Sequence, residues 1–378
     1  GVWMKRIKVI IQFILIISIL LIALNRTDAK EIMESSLRLR ILETTDLHAH
    51  MLGFDYKKNK PNLEFGLART ASLIKQAREE EINSLLFDVG DVLVGSALDE
   101  YVYKTNYLDD HYFHPVFKAM NGLYYDAATV GNHEFNHGLD FLHKSLRGAK
   151  FPYVNANIYI DDQNQYDGDD LNYFNPFLIL DRNFIDTNGN KQKLKVGVIG
   201  ILTPIAAEWD KKYFQGKLKI KNIQETAEHL VPIMKKMGTD IIIALAHVGL
   251  DPDKGLKEKK GNSVIDLSEV EGIDAILYGH THLIFPGKDL YSVNDETGTI
   301  NGVPAVQAGY WGNHLGIIDL EIIKMNGKWF VNSSHSIVKP VFKTINGKTI
   351  PLVEEDDQIV RVMEPIHLEI QRFIQNSK

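Results

Sequence analysis

The chain has no cysteine. Disulfide staples are therefore excluded, and stability rests on the packed core. Thiolate metal ligands are excluded too, which leaves histidine, aspartate, asparagine and glutamate as donors. No lipid anchor through an N-terminal cysteine is available. There is also no excess of basic charge: 42 Lys and Arg stand against 49 Asp and Glu, a net charge of −7. A broad cationic face for a nucleic-acid polymer is excluded, whereas a single small phosphate ester held by metal ions is not. No internal repeat and no low-complexity segment divides the chain.

The first residues read as a targeting segment. Met4, Lys5, Arg6 and Lys8 form a positive n-region, and residues 9–24 are apolar apart from Gln12 and Ser18. That run is short for a bilayer span and is followed by Thr27-Asp28-Ala29 as a cleavage site, so residues 1–29 are expected to be a secretory signal peptide. Gly1-Val2-Trp3 precede the expected start at Met4. Cleavage would remove Lys5, Arg6, Lys8 and Arg26 against Asp28 alone, leaving a more acidic exported chain with no stable membrane span. The expected location is the periplasm, or outside the cell where there is no outer membrane.

From residue 37 to about 320 apolar runs alternate with amphipathic stretches, the α/β signature. Leu67, Ala71, Ile74 and Ala77 follow helical spacing, as do Ile223, Ala227, Leu230, Val231 and Met234, with Pro232 expected to kink the helix or remove one backbone bond. Residues 186–190 read as the turn of a hairpin between 177–185 and 194–202, and 161–172 as a surface loop. Strands at 304–308, 315–323 and 329–338 suggest an antiparallel closing sheet, with Asn326-Gly327 and Asn346-Gly347 at turns. Residues 30–353 are read as one catalytic domain. Residues 354–378 are read as a terminal helix with Ile359, Val360, Val362, Met363, Ile366, Leu368, Ile370 and Phe373 on its apolar side.

Five short polar motifs each follow an apolar run. They are Asp46-Leu47-His48 after 37–42, Gly90-Asp91 after 84–87, Gly131-Asn132-His133-Glu134 after 126–130, His247 after 241–246, and Gly279-His280-Thr281-His282 after 273–278. Ligands of open α/β sheets bind beyond the carboxyl ends of the strands, so these side chains should converge on one crevice. Alone, each motif has a bland alternative: a turn for Asp46-Leu47-His48, a satisfied core imidazole for His247. Together they supply more hard or borderline donors than one ion can use. Two adjacent divalent ions can use them, the arrangement suited to phosphate-ester hydrolysis. Asp88, inside its strand, reads as a structural carboxylate. His50 and His137 are expected to line the site without ligating, and Tyr310 and Trp311 either reach the rim or pack in the core.

At these residues the chain resembles the calcineurin-like metallophosphoesterases. Within that superfamily it resembles the catalytic domain of the 2',3'-cyclic-nucleotide 2'-phosphodiesterase/3'-nucleotidase branch. The stretches 43–48, 65–74, 131–136, 151–157, 285–289 and 311–316 carry the likeness. The resemblance implies a four-layer α-β-β-α sandwich with the metal site at the C-terminal ends of the strands. It implies that Asp46, His48 and His282 hold one metal, that Asn132, His247 and His280 hold the other, and that Asp91 bridges them. The ions would be Zn, Mn, Co or Fe. His133 would be an uncoordinated catalytic imidazole that, with Asn132, meets the substrate. Asn136 stands where related 5'-nucleotidases carry aspartate, so His133 is expected to lack a carboxylate partner there. That difference favours small cyclic nucleotides over 5'-nucleotides or nucleotide sugars as substrates. Val89 and Val94 replace the polar residues usual in the second motif. Longer members add a nucleotide-binding domain, which is expected to be absent from this chain or supplied separately. A truncated metal-binding fragment with little activity is the remaining alternative.

Overall fold

The computed structural model describes residues 33–111, 113–164, 166–253, 260–287 and 297–376. The expected signal peptide and residues 288–289 of one family stretch lie outside the described residues. Among the described residues no helix is long and apolar enough to cross a membrane.

In chain order the strands that build the framework are β1 (Met33–Thr44), β2 (Ser84–Asp88), β3 (Ala127–Ala128), β4 (Phe177–Ile185), β5 (Lys191–Leu202), β6 (Ile241–His247), β7 (Ala275–Tyr278), β8 (Ile284–Phe285), β9 (Val303–Ala308), β10 (His314–Met325) and β11 (Lys328–Pro340). The main helices are α1 (Leu67–Glu80), α2 (Ala97–Lys104), α3 (Pro115–Asn121), α4 (Ile223–Lys236), α5 (Val264–Ser268) and α6 (Asp357–Asn376). One five-stranded sheet runs β11-β10-β1-β2-β3, and the larger sheet runs β8-β9-β7-β6-β5-β4. In both, the central pairs are parallel: β1 with β2 and β2 with β3, then β5 with β6 and β6 with β7. Antiparallel hairpins close the outer edges.

Period-two alternation sorts the side chains into layers. In β6, Ile241, Ile243 and Leu245 point into the core between the sheets, where they join Leu37, Leu39 and Ile41 of β1. Their neighbours Ile242, Ala244 and Ala246 point the other way, onto Ile223, Ala227 and Met234 of α4. On the far side, Leu42 and Leu86 face α1, α2, α3 and α6. Three apolar interlayer cores make a four-layer α-β-β-α sandwich, as the resemblance implied. The inner parallel strands β6 and β7 read as continuous apolar runs because both faces are covered.

Several local expectations need correction. β9 does not belong to an antiparallel closing sheet: it pairs parallel with β7 in the larger sheet, while β10 joins the other sheet beside β1. Consecutive strands 303–308 and 314–325 thus cross between sheets, a connection that hydropathy does not encode. The apolar run 126–130 yields only the two-residue strand β3. Chain α4 runs unbroken through Pro232, which faces solvent and so loses one backbone bond without disturbing the core. The turns behave as read, with Asn326-Gly327 and Asn346-Gly347 all at positive φ.

The terminal helix begins at Asp357, and its inner face is narrower than its apolar residues suggested. Ile359, Met363, Ile366 and Ile370 are buried against α1, α2 and α3, whereas Val362 and Leu368 face solvent. Ile370→Ala should therefore cost about 2–5 kcal/mol in a chemical denaturation experiment. Leu368→Ala, 45% exposed, should stay within about 0.5 kcal/mol of wild type. Equal effects would mean that the helix does not dock by this face.

Candidate metal centre

All five motifs meet at the carboxyl ends of the parallel strands. They do not meet in the crevice of one open sheet, as the sequence suggested. Asp46 and His48 follow β1, Asp91 follows β2 and Asn132 follows β3, all in one sheet; His247 ends β6, and His280 and His282 follow β7 in the other. The site lies on the seam between the two sheets. At the seam the loops approach so closely that only glycine fits. A Cβ on Gly279 would lie 2.1 Å from Thr45 Oγ1, and one on Gly131 would lie 2.2 Å from Asp91 Oδ1. Asp46, His48, Asp91, His280 and His282 themselves have φ between 46° and 78°. Non-glycine residues rarely adopt this region, and such strain accumulates where function demands a geometry.

The hydrogen bonds at the back of each imidazole decide which nitrogen faces inward. His48 Nδ1 donates to the Val94 carbonyl and His247 Nδ1 to the Val89 carbonyl, both at 2.7 Å. His280 Nε2 donates to Asp253 Oδ1 at 3.1 Å. The opposite nitrogens then present lone pairs. His48 Nε2 faces His282 Nε2 at 3.0 Å. His247 Nε2 faces Asp91 Oδ2 at 3.1 Å and Asn132 Oδ1 at 3.2 Å, and His280 Nδ1 faces the same Asn132 oxygen at 3.0 Å. Asp46 Oδ2 is held by Thr45 Oγ1 and the His280 amide, while Asp46 Oδ1 accepts no hydrogen bond and faces His282 Nε2 at 3.4 Å. Acceptors converging on acceptors require a cation between them. This donor set fits divalent metals.

The clusters Asp46–His48–His282 and Asp46–Asp91–His247 each bring one donor atom per residue within 4.8 Å of the others. Asp91 Oδ1 is tied to the His133 amide at 2.8 Å, which leaves Oδ2 to face both His247 Nε2 at 3.1 Å and His48 Nε2 at 3.8 Å. The surrounding charge points the same way. Glu43, Asp46, Asp88, Asp91 and Glu134 are all buried here. Burial pushes the Glu43 and Asp88 carboxyls well above their ordinary values. Burial also acts upward on Asp91, but the neighbouring His247 outweighs it and holds Asp91 below the carboxylate range. The His247 imidazole is driven down by burial and further up by Asp91, ending at about 10. Without a metal, a proton on His247 supplies the cation that these carboxylates demand.

Asp88 is structural, accepting from Thr44 Oγ1 at 2.6 Å and the Gly90 amide at 2.9 Å. The departures at Val89 and Val94 cost the site nothing, because each contributes its carbonyl. His50 stacks on Trp311 at 4.2 Å, and His137 meets Asp99 at 2.8 Å; neither reaches the donor clusters. Tyr310 stacks on His282 with ring centroids 4.9 Å apart, and the Trp311 amide donates to the Asp46 carbonyl. Sequence reading missed Glu134, Asp253 and Asp210. Glu134 accepts the amides of Asp91 and Gly131 on Oε2 and of Val92 and Leu93 on Oε1, at 2.6–2.9 Å. Its place beside His133 was visible, but its work on a loop 41 to 43 residues upstream was not. Asp253 and Asp210 carry no motif. His133 also has more than the sequence suggested: Nδ1 meets Asn136 Oδ1 at 2.6 Å, and Asn136 Nδ2 donates to Asp210 Oδ2 at 2.7 Å.

A family model of calcineurin-like phosphoesterases matches residues 39–283. The chain is 44% identical over 351 residues to a 2',3'-cyclic-nucleotide 2'-phosphodiesterase/3'-nucleotidase of Salmonella typhimurium, covering 92% of this chain and 52% of the relative. It is 42% identical to the trifunctional nucleotide phosphoesterase protein YfkN of Bacillus subtilis, over 85% of this chain and 22% of that protein. A crystal structure of calcineurin-like phosphoesterase YfkN from Bacillus subtilis superimposes with a TM-score of 0.80 at 39% identity, covering 90% of this chain and 99% of that one. The chain thus spans about half the length of the Salmonella relative.

The four bonds of Glu134 generate a prediction. Glu134→Gln replaces an acceptor-only carboxylate by an amide whose NH₂ would face backbone N–H groups. Losing charged, buried bonds of this kind should destabilise the fold by about 2–4 kcal/mol. It should also lower bound metal as measured by elemental analysis, since Asp91 and Asn132 lose their common support. Wild-type stability with full metal content would show that the loops are held otherwise.

Proposed function

This chain belongs to the calcineurin-like phosphoesterase family, and we propose that it is a dinuclear-metal phosphoesterase acting on 2',3'-cyclic nucleotides and 3'-nucleotides. The first reaction would open the cyclic ester to a 3'-nucleotide, and the second would release nucleoside and phosphate. The observation that carries this reading is the single oxygen Asp91 Oδ2 facing His48 on one side and His247 on the other. Asp46, His48 and His282 would hold one ion and Asn132, His247 and His280 the other, with Asp91 shared between them. When bound, such a pair supplies Lewis-acid charge for phosphoryl oxygens and acidifies a water for in-line attack. The names of the relatives support nucleotides as the substrate class.

The protein's own part is positioning and proton handling. His133 belongs to neither donor cluster, yet its ring centroid lies 5.1 Å from that of His48. With Nδ1–H given to Asn136, its Nε2 is left for the phosphoryl oxygen or the leaving alkoxide. The four backbone bonds to Glu134 and the packed sheets hold the ligand loops in place before substrate arrives, so that little reorganisation accompanies the reaction. The basic start and apolar run at residues 5–24 support export.

Two measurements test the reading. The chain, supplied with Mn or Co, should cleave bis-p-nitrophenyl phosphate and convert 2',3'-cyclic AMP to 3'-AMP and then adenosine. Hydrolysis of 5'-AMP with the cyclic ester left intact would overturn the substrate assignment. Asp91→Ala should abolish turnover and metal content together, while His133→Asn should keep the metal and lose about 100- to 10,000-fold in turnover. Loss of metal in His133→Asn would make His133 a ligand instead.

A further inference from the structure

The contact chain behind His133 assigns a role to a residue that no motif marks. An asparagine amide is directional: its oxygen accepts and its nitrogen donates. The two ends have nearly the same shape, so partners decide which way it points. Here Asn136 Nδ2 donates to Asp210 Oδ2 at 2.7 Å. An ionised carboxylate has no proton to give, so the NH₂ end must face Asp210. The carbonyl end must then face His133 Nδ1, 2.6 Å away. A carbonyl accepts only, so Nδ1 must carry the proton.

Asp210 is well placed for this work. It is 8% exposed and sits between two short helices, Ala206–Trp209 and Lys211–Phe214. Its backbone is pinned, with its amide donating to the Ala206 carbonyl at 3.0 Å and its carbonyl accepting from Tyr213 at 2.8 Å. The charged and titratable groups around its carboxyl are His133, His137 and Lys212.

We propose that Asp210 is a positioning residue: by orienting the Asn136 amide it holds His133 in the Nδ1–H tautomer, with Nε2 turned to the reacting phosphoryl group. A direct carboxylate at position 136 would do this alone. With asparagine there, the imidazole is held by a neutral group and the negative charge stands one residue further back. The kinetic consequence rests on the phosphoesterase reading above; the tautomer does not.

Asp210→Asn removes the constraint, because an amide at 210 can donate or accept and Asn136 can turn over. Expected are a turnover loss of about tenfold or more, within the range for a positioned acid–base group, with KM and metal content unchanged. The ¹⁵N imidazole signals of His133, identified by their loss in His133→Asn, should change from one tautomer to a mixture. Asn136→Asp alone sets two carboxylates against each other and should also lose activity. The double variant Asn136→Asp/Asp210→Asn restores an acceptor to Nδ1–H and a donor behind it, and should recover turnover above either single variant. A merely structural role for Asp210 would give no such recovery. Wild-type turnover and an unchanged His133 spectrum in Asp210→Asn would overturn the proposal, as would metal loss in parallel with activity. If neither wild type nor variants cleave phosphate esters, the functional reading fails, and the spectrum of Asp210→Asn still decides the role of Asp210.

Discussion

The Glu134 carboxylate is the interaction on which the rest of the site depends. Its two oxygens gather the amides of Asp91, Val92, Leu93 and Gly131, which belong to the loops after β2 and β3. No helix or sheet ladder pairs those amides, and leaving them buried and unpaired would cost about 1–3 kcal/mol each. One side chain thus satisfies four donors and ties together the backbones that carry Asp91 and Asn132. Burial raises the pKa of Glu134, and the Gly131 and Leu93 amides oppose it. The loop after β1 joins the same assembly through backbone bonds from Asp46, His48 and Ala49 to Gly90, Asp91 and Val92.

Around that knot the chain stores unfavourable arrangements. Five of the seven donor residues have left-handed backbones, at a cost of order 1–3 kcal/mol each. At Asn132 Oδ1 lone pairs face lone pairs, and carboxylates are buried beside carboxylates. Such a site persists only because the two sheets and their three apolar cores over-determine it. The same features make it a strong cation trap: a divalent ion relieves the acceptor conflicts and the buried charge together. Stability is lent to the site by the fold and returned when the metal binds.

The imidazole beside the metal centre obeys a different logic. His133 works by which nitrogen bears the proton, and that is decided through Asn136 at Asp210, 74 positions beyond Asn136 in sequence. Substituting asparagine for aspartate at position 136 removes a charge next to the imidazole without removing the contact.

Much was legible in the chain itself. Apolar runs marked the strands because both sheet faces are buried, and the polar residue after each run marked the site because parallel strands end together. Asn-Gly pairs marked turns because those residues enter the left-handed backbone at least cost. The five motifs could be named from sequence for these reasons, whereas the division into ligands and an uncoordinated His133 was what the family resemblance implied. Other features had no local signal. Nothing in residues 303–308 says that this strand joins β7 rather than β10, since both partners offer an apolar edge. In 357–376 the 4-3-4 spacing of Ile359, Met363, Ile366 and Ile370 places Ile370 on the buried stripe and Leu368 off it, but a count of apolar residues alone does not separate them. Glu134, Asp253 and Asp210 act on residues 27 to 74 positions distant, and hydrogen bonds of that reach exist only once the sheets have packed. Local propensity and periodicity wrote the strands and the donors; long-range pairing decided the seam on which the donors meet and the tautomer of the imidazole beside them.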